Sequence, residues 1–248
     1  MTVREAQPSD FQAMAEVMAA AFHDEEFFGV LMHPHRTQYP EDFTRFFYQK
    51  LWEHWYEWNY KFLVSVDAST KNGKVLGVGL WERQGEGGRK MGLAVYDPRE
   101  FTYIHPSWQA NVTRESGNLA SLYNTIALRA SKWFSPNRAA DPAHANVLHD
   151  TFPLIKHYWS GKREENWYLD FLAVHPDAQG KGCGKELVLW GVERAKRDGV
   201  PASVVAALDK EGFYGKLGFV EVGRANVGPM GEAGIQGGAV MFNDGDGK

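Results

Sequence analysis

The sequence contains one cysteine, Cys183, among 248 residues, so no disulfide can form within a single chain. Acidic and basic residues nearly balance, with a formal net charge of -4 at pH 7, which excludes a general electrostatic attraction to nucleic acid or anionic membranes. No apolar run is long enough to cross a bilayer, and the first ten residues, MTVREAQPSD, lack the apolar core of a signal peptide. These absences predict a cytoplasmic protein that binds neither nucleic acid nor membrane.

The length is sufficient for one large domain with a substantial core, and we predict a single domain over residues 1–248. Strand and helix patterns weaken over 84–166, which we interpret as a helical insertion in that domain. Apolar residues recur with helical spacing at 118–134 and 145–159 within the insertion. Near the end of the chain, the glycine-rich stretch GPMGEAGIQGG is expected to be a mobile loop.

The first 83 residues predict an edge strand at TVREA, two helices and a hairpin. Apolar residues recur with helical period over 11–22, and aromatic residues do so over 43–58. The aromatic stripe fits either a face buried in the core or the wall of an apolar substrate site. Asn-Gly at 72–73 lies between two β-rich runs and is the strongest short hairpin signal, which places strands near 60–67 and 74–83.

The segment 175–190, HPDAQGKGCGKELVLW, places three glycines and two lysines at a predicted strand-to-helix junction. Amides at a helix N-terminus have no partner inside the helix and lie at the positive end of its dipole, so a glycine-rich turn there can surround a phosphate. Glycines at such a turn can also serve tight packing alone. Glu186 stands where a P-loop needs Ser or Thr, and Leu187 where a dinucleotide motif needs its third glycine, so neither of those patterns fits.

The pattern Gln/Arg-x-x-Gly-x-Gly/Ala does fit, at Gln179, Gly182 and Gly184. With LAVHPDAQGKGCG around it and FYGKLGF after it, the segment Trp167–Phe219 resembles the GNAT acetyltransferase superfamily. The resemblance implies an α/β fold in which a mixed, mostly antiparallel and splayed sheet is flanked by helices. It also implies acetyl-coenzyme A (acetyl-CoA) as co-substrate.

The resemblance further implies which residues bind that co-substrate. Backbone groups of one strand would contact the pantetheine arm, and a loop would hold the pyrophosphate. The strand residues are Leu172, Ala173 and Val174, and the loop residues are Gln179, Gly180, Lys181, Gly182, Cys183, Gly184 and Lys185. The Cys183 thiol is not expected to act as a nucleophile, because the side chain of a residue whose amide lines the loop points elsewhere and no histidine is adjacent to activate it.

Acetyl transfer to an amine needs a polarised carbonyl, a donor for the departing thiolate and a base. The backbone N–H of Val174 is the candidate carbonyl donor. Tyr214 in FYGKLGF matches the family's tyrosine, and a phenol with a pKa of about 10 stays protonated at neutral pH.

Asp170 is the candidate base, because a carboxylate is unusual in an otherwise apolar strand. A period of two places Asp170 on the same face as Tyr168 and Leu172. A structural role for Asp170, and use of Glu164 or Glu165 instead, stay open.

The histidine spacings match no zinc pattern, so no metal is expected. The predicted function is direct acetyl transfer, in a ternary complex, to the amine of a small and partly apolar acceptor, since no acidic run suits a basic peptide. An acyl-CoA-binding sensor without transfer, and O-acyl or other acyl-CoA chemistry, remain open. The protein is expected to be a monomer or homodimer. The insertion is expected to cover the acceptor side and, with the aromatic face of 43–58, to enclose a pocket.

Overall fold

A computed structural model describes residues 1–69, 73–93, 126–127 and 134–245. These residues form a seven-stranded sheet in the order β1-β2-β3-β4-β5-β7-β6, antiparallel throughout except between β4 and β5. The predicted mixed, mostly antiparallel sheet is therefore confirmed. The strands are β1 Thr2–Glu5, β2 Tyr60–Asp67, β3 Lys74–Arg83, β4 Trp167–Val174, β5 Ala202–Ala206, β6 Val220–Arg224 and β7 Ala239–Asn243.

Helices cover both faces of the sheet. One core lies between the sheet and α1 and α2, and a second lies between the sheet and α5 and α6. None of the helices in the described ranges is both long and apolar enough to cross a membrane. The helices are α1 Phe11–Phe22, α2 Pro40–Trp55, α3 Gly85–Leu93, α4 Val147–Ile155, α5 Cys183–Asp198, α6 Glu211–Gly215 and α7 Pro229–Glu232.

The aromatic helix α2 is bounded by local chemistry and buried along one stripe. Pro40 stands in its first turn, where its fixed φ suits a helix and its missing N–H costs nothing. His54 lies in the last turn, where a cation is favoured by the helix dipole. The buried residues are Phe43, Phe47, Leu51 and Trp55. For these four positions the interpretation of the aromatic stripe as core is correct.

The segment 84–166 begins with α3 and returns to the sheet after α4. The helical pattern at 145–159 corresponds to α4 and a 3-10 turn at Lys156–Trp159. The pattern at 118–134 lies mostly outside the described residues.

A buried carboxylate ties the segment 84–166 to α2. Asp42 accepts hydrogen bonds from the backbone N and the Nε of Arg138, at 2.9 and 2.8 Å, and pairs with Arg45 at 3.0 Å. The Arg138 hydrogen bonds hold the pKa of Asp42 at about 2. The carboxylate is therefore ionised at neutral pH, and this part of the segment is fixed against α2.

The glycine-rich stretch near the C-terminus is ordered, which corrects the expectation of a mobile loop. Met230 and Ile235 are buried against Phe27 and Val147. The Glu26 carboxylate accepts hydrogen bonds from the amides of residues 236 and 237, at 3.0 and 2.6 Å. Two apolar anchors and one carboxylate outweigh the flexibility that the glycine content indicated.

Helix α5 lies unusually close to the sheet at Trp81 on β3. The indole is fully buried, and its Nε1 donates a hydrogen bond to the Leu187 carbonyl of α5 at 3.1 Å. A β-carbon at Gly191 would overlap the indole ring. Glycine is therefore required at this position by packing, not by backbone conformation.

Replacing Gly191 by Ala should lower the free energy of unfolding by about 1–3 kcal/mol, because a rigid ring must move to admit the methyl group. Urea denaturation measures this change. The matched control is Gly212→Ala, since a β-carbon there meets no atom within 4 Å and should be neutral or slightly stabilising. Equal losses in both variants would contradict the close approach of α5 to Trp81.

Candidate active site

Strands β4 and β5 separate partway along their length. Their parallel pairing runs from Trp167↔Ala202 to Leu169↔Val204, and in the described part of the chain it goes no further. β4 continues to Val174, so a gap opens in the middle of the sheet beyond Leu169.

Backbone donors face this gap. The N–H of His175 donates to the Leu76 carbonyl of β3 at 2.9 Å. Because amide direction alternates along a strand, the N–H groups of Leu172 and Val174 point away from β3 and into the gap. These are two of the three strand residues that the sequence resemblance assigns to the pantetheine arm. Ala173 lies between them, and its side chain packs in the core beneath α1 and α2.

Asp170 is an extra residue in β4. The β3–β4 register pairs Leu80 with Phe171 and Trp81 with Leu169, which leaves Asp170 opposite no residue. This is a β-bulge, and it coincides with the point where β4 leaves β5.

The bulge changes which face the following side chains occupy. Leu169 packs with α5, whereas Phe171 packs with α1 and α2. Leu172 packs on the α5 side, so the predicted grouping of Asp170 with Leu172 is wrong. The period of two fails there because it assumes an unbroken ladder. Tyr168 does lie close to Asp170. Burial raises the pKa of the Tyr168 phenol, and the Asp170 charge raises it further.

The glycine loop before α5 presents open space and unpaired amides. Gly180 and Gly182 have φ of +73° and +92°, and a β-carbon at either would meet no atom within 4 Å. Within the described residues, no acceptor takes the N–H groups of residues 183–185 at the start of α5. These features form a cradle for an anion at a helix N-terminus.

The side chains around the cradle hold its shape. Gln179 donates from Nε2 to the Val174 carbonyl at 3.3 Å, which links the loop to the end of β4. Lys181 donates from Nζ to the Asp177 carbonyl at 2.7 Å. Of the remaining predicted cradle residues, Lys185 is exposed and Cys183 is buried. A β-carbon at Gly184 would lie 3.4 Å from a methyl group of Val174.

The Cys183 thiol points into the core. Its Sγ lies 3.7 Å from the Ala178 carbonyl oxygen and 3.1 Å from the Met1 sulfur. Only the amide of Cys183 faces the cradle, and the thiol is removed from any ligand there.

Tyr214 lies on α6, in the core on the α5 side of the sheet. Its ring packs against Phe213 and Phe219, at centroid distances of 5.1 and 5.7 Å. Burial raises the pKa of the Tyr214 phenol, so the group is a proton donor at neutral pH. Tyr214 also acts electrostatically on Tyr168 of β4, and its charge contributes to the raised pKa of that phenol.

A group of ionisable side chains surrounds Asp170 on the opposite, α2 side of the sheet. Burial raises the pKa of Asp170 to about 6; the His54 charge opposes this shift and the Glu82 charge adds to it. His54 bonds through Nδ1 to Glu57 Oε2 at 3.2 Å and stacks on Tyr60 at 4.4 Å. Asp170 is consequently ionised at neutral pH and more basic than an ordinary carboxylate.

His54 and Glu82 are residues that the sequence interpretation missed. The available signals were a charged residue ending an apolar strand, GLWER, and a histidine within an aromatic helix. Neither signal indicates Asp170 as a neighbour, because the contact depends on the register between distant strands.

The two alternative bases have different surroundings. Glu165 bonds to Arg83 Nη2 at 2.7 Å and accepts from the Gly87 amide at 3.1 Å, and it also accepts from the Glu86 amide at the start of α3. These bonds occupy its carboxylate in a structural role. Glu164 is exposed and lines a cavity next to Glu82.

That cavity, which we call the Glu82 cavity, has a volume of about 650 Å³. Its lining comes from the connection between α2 and β2, the end of β3, and described parts of the segment 84–166. The lining residues are Glu57, Trp58, Asn59, Glu82, Arg83, Gln84, Gly85, Gly88, Arg89, Phe152, Lys156, Trp159 and Glu164. In the described ranges, no three His, Cys, Asp or Glu residues lie close enough to hold a metal ion.

Comparison with known proteins bears on the same region. A model of the acetyltransferase (GNAT) domain matches residues 154–221, which include Asp170, the cradle and Tyr214. A solved structure of histone acetyltransferase HPA2 and related acetyltransferase from Corynebacterium glutamicum is 18% identical, covers 98% of this chain and 94% of that chain, and has a TM-score of 0.55. A second solved acetyltransferase is 15% identical over 99% of this chain and 100% of that chain, with a TM-score of 0.51. The chain shares the fold of these proteins along nearly its whole length.

Replacing Gly182 by Val should weaken coenzyme A binding at least tenfold, or about 1.4 kcal/mol, because the side chain enters the open space in front of the α5 amides. Isothermal titration calorimetry measures the affinity. Gly199→Val is the control, since Gly199 also has a positive φ, at the other end of α5, with open space around it. Both variants lose stability from backbone strain, but only Gly182→Val should lose affinity. Equal coenzyme A affinities in the two folded variants would rule out the cradle.

Proposed function

We propose that the protein is an acyltransferase that moves the acetyl group of acetyl-CoA directly to an amine in a ternary complex, because residues 154–221 match a model of the GNAT acetyltransferase domain. The proposed acceptor is small and partly apolar. The observation that carries the proposal is the gap between β4 and β5, which has an anion cradle beyond its Val174 end and the Asp170 bulge at its other end.

The residues around the gap fit acetyl-CoA. A thin amide-containing arm can bond to the N–H groups of Leu172 and Val174, and a pyrophosphate can bond to the free amides at the start of α5. When bound, acetyl-CoA supplies the acetyl thioester for transfer. The N–H of Leu172, two residues from Asp170 on the free edge of the strand, is a preorganised donor of the kind that stabilises an oxyanion, whereas the Val174 N–H expected in this role lies at the cradle end of the gap.

Asp170 lies at the bulge on the α2 side of the sheet, and Tyr214 lies in the core on the α5 side. The Asp170 carboxylate accepts a proton from the ammonium group of the acceptor, whose nitrogen then has a free lone pair. The Tyr214 hydroxyl gives its proton to the departing sulfur and is restored by the second proton that the nitrogen loses. One proton is released overall, the carbon–sulfur bond is exchanged for a carbon–nitrogen bond, and no oxidant or reductant is needed.

The thiol released from acetyl-CoA tests the proposal. Purified protein is incubated with acetyl-CoA and a panel of primary amines and alcohols, and thiol release is followed with a chromogenic disulfide. Turnover with amines supports the proposal. Turnover with alcohols only would indicate O-acyl transfer, and tight acetyl-CoA binding without turnover of any acceptor would indicate a sensor.

Replacing Tyr214 by Phe should lower kcat by about 10- to 1000-fold, because the ring packing is kept while the proton donor is lost. Coenzyme A affinity should change little. Rapid-quench kinetics establish whether chemistry limits turnover. An unchanged kcat with chemistry rate-limiting would make Tyr214 a structural residue.

The raised pKa of Asp170 predicts an acidic limb in the pH profile of kcat/KM. Below about pH 6 the carboxyl is protonated and cannot accept a proton, so activity should rise through pH 6 and then level off. Asp170→Asn should lower kcat/KM by about 10²- to 10⁴-fold and abolish the limb. Glu164→Gln, measured in parallel, should retain it. A limb lost in Glu164→Gln and kept in Asp170→Asn would make Glu164 the base.

A further inference from the structure

The Glu82 cavity lies beside the residues assigned to proton transfer. Glu82 pairs with Tyr168 across β3 and β4, and Asp170 follows two residues later on β4. At the ordinary rise of a strand, this separation is about 7 Å along β4. A ligand in the cavity therefore needs only a short chain to reach the Asp170 carboxylate.

Aromatic side chains form part of the cavity lining. Phe152 on α4 is 54% exposed, whereas Val147, Thr151 and Ile155 of the same helix are buried. Trp159 stands edge-on to Tyr168, with ring centroids 5.9 Å apart. A flat apolar group in the cavity would cover the exposed Phe152 ring, which removes apolar surface from water.

Carboxylates supply the unbalanced charge of the lining. Glu82 accepts from Asn59 Nδ2 at 3.0 Å and from Gln84 Nε2 at 2.8 Å, and both donors are neutral. Burial of the Glu82 carboxylate raises its pKa, and the nearby Glu57 charge adds to the shift. The lining also contains Glu164, which is exposed, and Glu57, which is bonded to His54.

Most of the positive charge in the lining is already paired. Arg83 lies 2.7 Å from Glu165 and 3.4 Å from Asp198. Arg89 donates from Nε to Glu86 at 2.7 Å. Lys156 also lines the cavity and is exposed, and none of the described residues forms an ion pair with it. The balance favours a cationic ligand over an anionic one.

We propose that the Glu82 cavity binds the acceptor as a primary alkylammonium ion that carries an aromatic group. Glu82 binds the ammonium, and Phe152 and Trp159 pack against the ring. This inference rests on the proposed function, because it identifies the cavity as the acceptor site of that reaction. It names Glu82 and Phe152 as residues that determine specificity.

The test compares phenethylamine with ethylamine as acceptors for the wild type and for two variants. Glu82→Gln should raise the KM for phenethylamine at least tenfold and leave the KM for acetyl-CoA within twofold. Phe152→Ala should lower kcat/KM for phenethylamine at least fivefold and leave ethylamine unaffected, because only phenethylamine has a ring to pack. Glu82→Asp should restore part of the loss, since it keeps the charge.

The matched controls are Leu148→Ala and Glu193→Gln. Leu148 is 47% exposed on the same helix as Phe152 but is not part of the lining, and Glu193 is an exposed carboxylate on α5. Both controls should match the wild type with both amines. Thermal unfolding confirms that each variant is folded, and Phe152→Ala removes a largely exposed side chain.

Equilibrium binding of phenethylamine, measured by calorimetry, separates failure of this inference from failure of the proposed function. Binding that Glu82→Gln weakens, without thiol release from acetyl-CoA, would support the cavity and contradict acetyl transfer. Thiol release with amines, but without preference for phenethylamine or sensitivity to Glu82→Gln and Phe152→Ala, would overturn the cavity assignment alone. A preference for phenylalanine over phenethylamine would also overturn it, because the added carboxylate would then be recognised.

Discussion

The extra residue in β4 is the feature on which the rest of the site depends. Without Asp170 out of register, β4 would keep its alternation and could continue to pair with β5 beyond Leu169. At the bulge, the pairing of β4 with β5 ends and the alternation of its side chains between the two faces of the sheet is shifted. A carboxylate and a strand edge with free N–H groups therefore lie together where the paired region ends. At the same point, the buried side chains of β4 switch from the core on the α5 side to the core on the α1 and α2 side. A carboxylate at such a position is poorly solvated, which agrees with its raised pKa.

Much of the fold follows from local signals. The Asn-Gly turn, the helical period of α1 and the glycine loop before α5 depend on neighbouring residues, so their strands and helices are found where they were predicted. The contacts around Asp170 are different, because they depend on register between strands that are distant in sequence. A bulge leaves no clear mark in the letters WYLDFLAV. Composition was misleading in the last glycine-rich stretch, where Met230 and Ile235 supply the burial that the surrounding glycines lack.

The segment 84–166 is held at several separate points. Arg138 of the segment binds Asp42 of α2, Glu165 near the end of the segment binds Arg83 of β3, and Trp159 donates to Ser203 on β5 at 3.1 Å. The second contact joins the segment to β3, which borders the Glu82 cavity, and the third joins it to β5, which borders the gap. Charged hydrogen bonds supply two of these three contacts, and the buried Val147 and Ile155 of α4 add apolar packing. The walls of the cavity are thus positioned by ionic contacts and by apolar packing together.

The gap between β4 and β5 also has a consequence for sheet integrity. A strand edge with unsatisfied N–H groups is ordinarily a template for pairing with another chain, and proteins protect such edges by covering or shortening them. Here the edge lies inside the sheet, between neighbours on either side, so an extended protein strand would have to enter along its whole length. A slender ligand that forms amide hydrogen bonds would instead act as the missing strand. Its binding would complete the ladder, and at a concentration one hundred times its dissociation constant it would add about 2.7 kcal/mol to the free energy of unfolding. The concentration of co-substrate would then determine the fraction of protein molecules in which the β4 edge is unpaired.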